Sequence, residues 1–302
     1  MIIAGSWSSY KSRIVNYFQQ LAIIIPYAKL ELQYSNTNDA KNDMTIHRYD
    51  RRSEQMPPAA REVKHHPSGV NNFLLQQLLD RSKSKTLLKF LCIGKRVLAK
   101  LGNGFEDSLK PSKLDGKQIT RPVQLLRSVE LFKAPDGSCL SPLGEYNLNL
   151  GIRKVIEPDI VATARDKPCA YEGHLFIVEA AISLGGKNSK EGINVIRFAN
   201  RIPLLFEAGA DVCTRVAQSK IKWSSYKIDH KKDRICVFVS MIVSTKVPFK
   251  GIGKVYIGDG ITEIQTSAKR ALQSCCQQLR SVEGSKPAPV ASRQICAGRN
   301  EI

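Results

Sequence analysis

The sequence predicts an α+β fold, in which a small sheet is covered by helices on one side. An almost uncharged, β-branched run at 235–242 is typical of a buried strand. Two more strands are predicted at 174–184 and 194–205, and the Gly185–Asn188 segment between them is a hairpin signal. A helix is predicted before the 235–242 strand, and a capping box at Thr262–Gln265 opens another after it. Strand, strand, helix, strand and helix, in that order, define the class.

The first 50 residues predict one helix and a hairpin. Apolar side chains recur at helical spacing over residues 8–25, up to Pro26. The stripe consists of Tyr10, Ile14, Tyr17, Phe18, Leu21 and Ala22. Residues 28–34 alternate as a half-buried strand does, and Met44–Arg48 is the predicted returning strand. Because a helix and a hairpin are too small to form a domain, this segment is expected to be the end of a larger one.

A helical region follows from Val70. Its first apolar stripe is Phe73, Leu74, Leu78 and Leu79, and its second is Leu87, Leu88, Leu91, Val97, Leu98 and Leu101. Pro122 falls in a stretch that is otherwise expected to be helical. Since proline inside a helix costs about 3 kcal/mol, the sequence predicts that this helical region is not intact.

The C-terminal half carries two more helix signals and a tail. Ser141–Pro142 is the predicted start of a helix that ends near Val155, because serine caps helices and proline suits their first position. A shorter helix is predicted at 211–218. The mixture of Ser, Pro, Ala and Gly beyond Glu283 predicts a disordered tail.

Composition and charge favour a nucleic-acid partner. The 302 residues can hold two or three modest domains. Lys and Arg number 46 against 27 Asp and Glu, a formal net charge of +19. Nucleic acid is the natural partner of such an excess, although an anionic membrane or ribosomal RNA would also satisfy it. No apolar run approaches the roughly 20 residues of a membrane span, and no secretory signal is evident. An intracellular soluble protein is expected.

The sequence offers no obvious catalytic or metal site. Its eight cysteines include no Cys-x-x-Cys pair, so they are expected to be reduced, small apolar residues and not zinc ligands. Gly251–Lys254 lacks the spacing of a P-loop. No Ser/His/Asp or Cys/His arrangement is suggested by spacing. The spacing of these residues therefore indicates neither a P-loop nor a nucleophilic catalytic site.

Two basic segments are the candidate binding sites. The loop after the 235–242 strand carries Lys246, Lys250 and Lys254. Lysines on a loop held by a rigid strand suit phosphate contacts, and the alternative is a solvated basic loop. The other segment interleaves aromatic residues with lysines and contains Lys222, Trp223, Tyr226, Lys227 and Lys231. Such a segment supports phosphate contacts and base stacking, or its aromatic residues pack inside the domain while the lysines coat it.

Several segments, in this order and spacing, resemble the B subunit of DNA topoisomerase VI, most closely its plant-type form. They are Tyr49–Arg52, Lys64–Ser68, Cys139–Asn147, Phe198–Phe206, Ile221–Tyr226 and Ser244–Gly251. The resemblance extends to about Leu279. It implies the end of a GHKL-type ATPase domain at 1–60, a shortened helix-two-turn-helix region at 61–122, a transducer domain at 123–283 and a disordered tail at 284–302. It also implies a ribosomal-protein-like transducer with a left-handed βαβ crossover, against the general rule of right-handed crossovers.

The same resemblance implies roles for individual residues. Lys246 matches the switch lysine that contacts the γ-phosphate of ATP, with Lys250 as the alternative. The segment from Lys222 to Lys231 matches a loop thought to touch DNA. The last helix, Glu263–Leu279, matches the element that meets the DNA-cutting subunit, or it packs only on its own sheet. Apart from the resemblance, the residues around Arg201 predict a structural role for it, in which it closes a strand edge.

The function that the resemblance implies is that of a type IIB topoisomerase B subunit. Such a protein couples ATP binding and hydrolysis to double-strand DNA passage by the A subunit, which relaxes and decatenates DNA in the nucleus. Its partners would be the A subunit of topoisomerase VI in an A2B2 assembly, duplex DNA and a second B subunit, with no membrane. ATP and magnesium would bind only through an ATPase region outside this chain, and the cleavage tyrosine belongs to the A subunit. The alternatives are a non-enzymatic scaffold that binds DNA or the A subunit, a remnant that does not fold stably, and a ribosomal-RNA-binding protein.

Overall fold

The structure is a computed structural model that describes residues 7–35, 44–62, 66–102, 104–106, 108–116, 118–128, 137–186, 189–244, 246–251, 253 and 255–284. The helices are α1 (Trp7–Ile24), α2 (Asn72–Arg81), α3 (Leu87–Leu91), α4 (Lys95–Leu98), α5 (Thr120–Ser128), α6 (Glu145–Val155), α7 (Val212–Arg215) and α8 (Thr262–Gly284). The strands are β1 (Leu30–Ser35), β2 (Met44–Tyr49), β3 (Ile160–Arg165), β4 (Cys169–Tyr171), β5 (His174–Leu184), β6 (Gly192–Ala199), β7 (Ile202–Pro203), β8 (Arg234–Val243), β9 (Phe249–Lys250) and β10 (Tyr256–Ile257). Of the tail predicted at 284–302, residues 285–302 lie outside the described residues. Of the segment Lys64–Ser68, Lys64 and His65 also lie outside them.

The N-terminal helix and hairpin are confirmed, but the buried part of the helix differs from the prediction. Strands β1 and β2 pair antiparallel, from Leu30 opposite Tyr49 to Ser35 opposite Met44. In α1, Tyr10, Ile14 and Tyr17 are exposed. The buried residues lie at the C-terminal end of α1, where Ala22, Ile23 and Ile24 contact the C-terminal half of the chain.

The helical region has a hydrophobic core of its own, and the break expected at Pro122 is not seen. Leu75 and Leu79 of α2 are buried in it, whereas Phe73 and Leu78, which the stripe included, are exposed. Pro122 does not interrupt a helix, because α5 begins at Thr120 and places the proline in its first turn. The backbone N–H groups of that turn have no partner within the helix in any case, so proline costs little there.

The central sheet has the strand order β3-β5-β8-β6-β7, with β4 also paired to β5. Every pairing is antiparallel except β6 with β8, which are parallel and connected through α7. The strand at 174–184 is confirmed, but the predicted hairpin between β5 and β6 is wrong, because β8 lies between them. The strand predicted at 194–205 is also divided, since Asn200 and Arg201 both adopt positive φ and turn the chain into β7.

Helices cover both faces of this sheet, so the prediction of one covered side is wrong. On one face, α7 and α8 pack on alternate residues of β8, which include Val237 and Val239. The other alternate residues of β8, which include Cys236 and Phe238, point to the opposite face and contact α6 and the end of α1. A strand buried on both sides explains why the 235–242 run carries no charge.

Helix α6 begins three residues later than Ser141–Pro142 predicted, and its predicted end at Val155 is confirmed. The carboxylate of Glu179, from the middle of β5, accepts the N–H groups of Leu143 (2.9 Å) and Gly144 (2.7 Å) just before the helix. Burial raises the pKa of Glu179, against the opposing effects of those two hydrogen bonds and of nearby arginines. Glu179 therefore holds the segment just before the helix, whose N-cap residue is Gly144 and not the predicted Ser141.

The seven described cysteines form no disulfide with one another. Burial raises the pKa of Cys236 to about 11 and that of Cys276 to about 12. These thiols therefore stay protonated and behave as small apolar core residues. No helix in the described ranges has both the length and the apolar character needed to cross a membrane.

Candidate functional site

Lys246 lies beside a cleft of about 320 Å³ at the end of the central strand β8. The cleft is lined by Tyr171, Glu172, His174, Lys246, Pro248, Phe249, Lys250, Gly260 and Ile261. They come from the β4–β5 turn, from the loop after β8 and from the segment that leads into α8. The loop therefore presents its cations at a concave surface.

The base of this loop is fixed by the core. The N–H of Ser244 donates to the carbonyl of Leu175 (2.9 Å), which extends the pairing of β8 with β5. Val247 and Phe249 are half-buried against the core beneath α8. The side chain of Lys246 is exposed between these anchors, so it points away from a rigid base.

Lys250 lines the same cleft but is held differently. It lies in β9, opposite Tyr256 of β10, and its aliphatic stem passes over Gly258. A Cβ atom at Gly258 would lie 2.7 Å from Cγ of Lys250. The cation of Lys250 is therefore tied to a hairpin, whereas that of Lys246 extends from a strand end. Lys254, the third lysine of the loop, lies outside the described residues.

An acidic and a phenolic group face the two lysines across the cleft. Burial raises the pKa of the Tyr171 phenol, and the charge of Glu172 and its hydrogen bond with the phenol raise it further. Tyr171 therefore remains a protonated donor over the ordinary pH range. Among the described residues, no three His, Cys, Asp or Glu side chains lie together as a candidate metal set.

In the second candidate segment the lysines are exposed and the tryptophan is buried. Lys222 and Lys227 are exposed at the two ends of a short 3-10 turn, Trp223–Tyr226, and Lys231 is exposed on the loop that follows. Trp223 is only 3% exposed, and its indole N–H donates to the carbonyl of Ala217 (2.9 Å).

The comparisons with known proteins agree with this architecture. Residues 135–289 match the family model "Topoisomerase VI B subunit, transducer". The chain belongs to this family. The match begins before α6 and includes the central sheet and α8, so both candidate segments lie within the transducer region.

Individual relatives match almost the whole chain but are much longer. The B subunit of DNA topoisomerase 6 from Arabidopsis thaliana is 48% identical over 290 residues, which cover 93% of this chain and 43% of that protein. The protein of the same name from Oryza sativa subsp. indica is 47% identical and is covered to 41%. The B subunit of type 2 DNA topoisomerase 6 from Saccharolobus islandicus is 33% identical and is covered to 53%. The chain thus spans about half the length, or less, of these relatives.

Within this transducer, the burial of Trp223 corrects one predicted site residue. Its ring lies in the core with α7 and α8, so it cannot stack on a base in this structure. Tyr226 is half-buried against the same core. The three lysines are the part of the predicted interface that the structure leaves accessible.

A buried ion pair supports the hairpin that carries Lys250, and the sequence reasoning missed it. Arg197 of β6 lies 3.3 Å from Asp211, and both side chains are almost fully buried. Asp211 also accepts the N–H groups of Cys213 (2.9 Å) and Ile257 (3.0 Å). One carboxylate therefore joins β6, the start of α7 and β10. A lone arginine in an apolar strand and an aspartate in a helix-capping position were the available signals.

Arg201 has the structural role that was expected, at a different place. Its guanidinium donates to the carbonyl oxygen of Ser141 (2.6 Å) and to the Ser141 hydroxyl. This contact forms one wall of a second cleft, of about 520 Å³, which lies between the extended segment Met56–Arg61 and the end of β8. Arg201 thus holds the chain before α6 against the turn between β6 and β7.

The last helix is fixed to the sheet on its inner face. Ser267 and Arg270 of α8 both donate to the carboxylate of Asp166, with Arg270 Nη2 at 2.7 Å. Although burial alone would raise the pKa of Asp166, these hydrogen bonds lower it. The packing alternative for α8 therefore holds for its inner face, where Leu272 and Cys275 are fully buried.

Proposed function

We propose that this chain is the transducer of a type IIB DNA topoisomerase B subunit, which relays nucleotide state to a DNA-cutting A subunit. The observation that carries the proposal is Lys246, an exposed cation at the end of a strand that is buried on both faces. A charge-assisted contact from such a lysine distinguishes a triphosphate from a diphosphate. Because the base of the loop is fixed, a pull on Lys246 acts on β8 and hence on the whole sheet.

The ATP and magnesium in this scheme bind to an ATPase region outside the chain. The transducer supplies the sensing lysine and the body that moves. The assembly would contain two B subunits with the DNA-cutting subunits, would act on duplex DNA in the nucleus, and would relax and decatenate it. The parallel pair of β6 and β8, joined through α7, supports the finer proposal of a ribosomal-protein-like fold.

Duplex DNA would bind to the exposed lysines of the second segment. Lys222, Lys227 and Lys231 project from neighbouring turns and can each contact a phosphate. Trp223 takes part only by shaping the turn that carries them. The three lysines are expected to govern affinity in a salt-dependent way and to confer no sequence preference.

The sensing role is tested by adding the ATPase region of a B subunit as a separate polypeptide. Association of this chain with that region is measured with ATP and with ADP, for the wild type and for Lys246→Ala, Lys246→Arg and Lys250→Ala. We expect the preference for ATP to fall about tenfold or more in Lys246→Ala, since a charge-assisted contact of that strength is lost. Lys250→Ala should retain it. If only Lys250→Ala loses the preference for ATP, the sensing role belongs to Lys250. If the wild type shows no preference between ATP and ADP, the scaffold function is favoured.

The DNA role is tested by a titration of duplex DNA across a salt series, with and without the DNA-cutting subunit. The triple variant Lys222→Ala, Lys227→Ala, Lys231→Ala should reduce the slope of log affinity against log salt by about 2 to 3. The matched control removes three exposed lysines from the helical region, Lys83, Lys85 and Lys89. Equal losses in the two triple variants would mean that binding follows net charge and not this surface.

A further inference from the structure

One edge of the central sheet is open. Strand β6 pairs with β8 along its whole length, from Gly192 to Ala199. On its other side β7 covers only Phe198 and Ala199. The first five residues of β6 therefore form an edge that no described strand covers.

The hydrogen bonds show which backbone groups of β6 point outward. The N–H of Gly192 donates to Asp233 (3.0 Å) on the β8 side, so even-numbered residues face β8. The carbonyl of Arg197 accepts the N–H of Leu204 (2.9 Å) on the opposite side, so odd-numbered residues face outward. The N–H and C=O groups of Ile193 and Val195 thus point away from the sheet, and no described residue hydrogen-bonds them.

This edge is ordered and apolar. Ile193 and Val195 are half-buried against the core, and Ile196 packs on the opposite face. The side-chain amide of Asn194 donates to the carbonyls of Lys190 (2.7 Å) and Gly192 (3.2 Å), which fixes the start of the strand. Strand edges usually carry charged side chains, proline or a covering element that prevents further pairing. The open residues Gly192–Ile196 themselves carry no charged side chain and no proline, and no described strand pairs with them.

The opposite edge of the same sheet is protected. The N–H of Asp166 donates to Val178 (3.0 Å), so in β3 the odd-numbered residues face outward. The outward carbonyl of Thr163 accepts the side-chain amide of Gln278 from α8 (2.9 Å), and Arg165 adds an exposed charge. The difference between the two edges indicates that β6 is kept available for pairing.

The surroundings of β6 are basic. Lys190 is exposed just before the strand, and Lys220 is exposed at the end of the helical turn that lies beside it. Lys231 and Lys232 are exposed on the loop next to Gly192, where Glu191 and Asp229 are also exposed. The carboxylates of Asp229 and Asp233 accept backbone N–H groups of that loop, and the lysines outnumber the acidic residues around the strand. A second copy of the chain would bring the same lysines and the same net charge of +19 against them. Charge complementarity therefore favours an acidic occupant.

We propose that the β6 edge is a docking site for an extended, acidic segment of a partner protein, which adds to the sheet as a further strand. The N–H and C=O groups of Ile193 and Val195 supply the main-chain hydrogen bonds, and the neighbouring lysines select acidic residues at the ends of the segment. The site is separate from the Lys246 loop and does not depend on the function proposed for it.

The probe is a synthetic ten-residue peptide of alternating valine and threonine with two glutamates at each end. Its controls are the same peptide with lysines at the ends and an acidic peptide with a central proline. Binding is measured by fluorescence anisotropy, and amide hydrogen exchange of the 302-residue chain is followed by NMR. We expect the acidic peptide alone to slow the exchange of the Ile193 and Val195 amides by about tenfold or more.

Val195→Pro is the decisive variant, because it removes an outward N–H and leaves the pairing with β8 intact. It should weaken binding of the acidic peptide about tenfold in a protein that still unfolds cooperatively. Val195→Thr keeps the N–H and should bind like the wild type.

Four results would overturn the proposal. The first is that the acidic peptide leaves the exchange of the Ile193 and Val195 amides in the wild type unchanged, and the second is that the lysine-ended peptide binds equally well. The third is that the chain self-associates and this association slows the exchange of the same amides. The fourth is that duplex DNA slows their exchange. If Val195→Pro does not fold, the exchange measurement on the wild type still decides.

Discussion

The two faces of the central sheet are covered by different parts of the chain. One face is covered by α7 and α8, which lie within the family match at 135–289. The other is covered by α6, which also lies within it, and by the end of α1, which lies more than 100 residues before it. The resemblance implies a separate domain for α1, and in the structure Ile23 and Ile24 are buried in the same core as Phe238. A movement of the sheet would therefore be transmitted to α1 directly.

The largest expected effects compare the two faces. Leu272→Ala removes a fully buried side chain of α8, and Ile152→Ala removes one of α6. Each should lower the free energy of unfolding by about 2–5 kcal/mol in urea denaturation, because each leaves a cavity. Ile202→Ala, at an exposed position, should change it by less than about 0.5 kcal/mol. A small loss in Ile152→Ala would show that the second face contributes little to stability.

The contact between α1 and α6 gives the next largest effect. A methyl group on Gly151 would overlap the carbonyl oxygen of Ile23. Gly151→Ala should therefore cost about 1–3 kcal/mol, because the backbone of α1 must shift. If α1 were not docked there, the same substitution would stabilise α6 by up to about 1 kcal/mol, since alanine is the better helix former. The sign of the change in urea denaturation decides, with Gly116→Ala, which has open space, as the control.

A smaller effect on stability tests whether Trp223, in the segment from Lys222 to Lys231, belongs to the core or to the DNA-binding surface. Trp223→Phe keeps an aromatic ring but loses the hydrogen bond to the carbonyl of Ala217, which should cost about 1–2 kcal/mol in urea denaturation. Duplex-DNA affinity of the folded variant should not change, because the indole is not accessible. A clear loss of DNA affinity without loss of stability would contradict the core position of Trp223.

The sequence predicted the features of the fold that depend on residues close together in the chain. It missed the features that depend on contacts between residues far apart in the chain. The strand at 174–184 could be placed to the residue, because its alternation and apolar character are local. Its pairing partner could not, since a glycine turn does not reveal that β8 inserts between β5 and β6. The start of α6 was misplaced because the segment before it is held by Glu179, more than 30 residues downstream, and the helix begins only after Gly144. Trp223 among lysines has the same local pattern whether it is buried or exposed, so only the structure decides between the two.

The smallest expected effect tests the contact between α6 and the segment around β1 through its pH dependence. Lys154 of α6 donates to the carbonyl of Ala28 (3.0 Å). Burial lowers the pKa of Lys154 to about 8, with Asp50 opposing the shift and Arg52 adding to it. The unfolded chain therefore binds more protons than the folded chain between pH 8 and the ordinary lysine pKa of about 10.4. The contribution of Lys154 to stability is complete above that window and is lost as the pH falls through 8.

The free energy of unfolding of the wild type, relative to Lys154→Met, should accordingly increase between about pH 7.5 and pH 10. Urea midpoints at several pH values in this range measure the difference, and only its slope is interpreted, because methionine also changes the packing. Lys113→Met, at an exposed position of the helical region, controls for the loss of a surface cation. A difference that does not vary with pH would mean that Lys154 is not held against the carbonyl of Ala28 in solution.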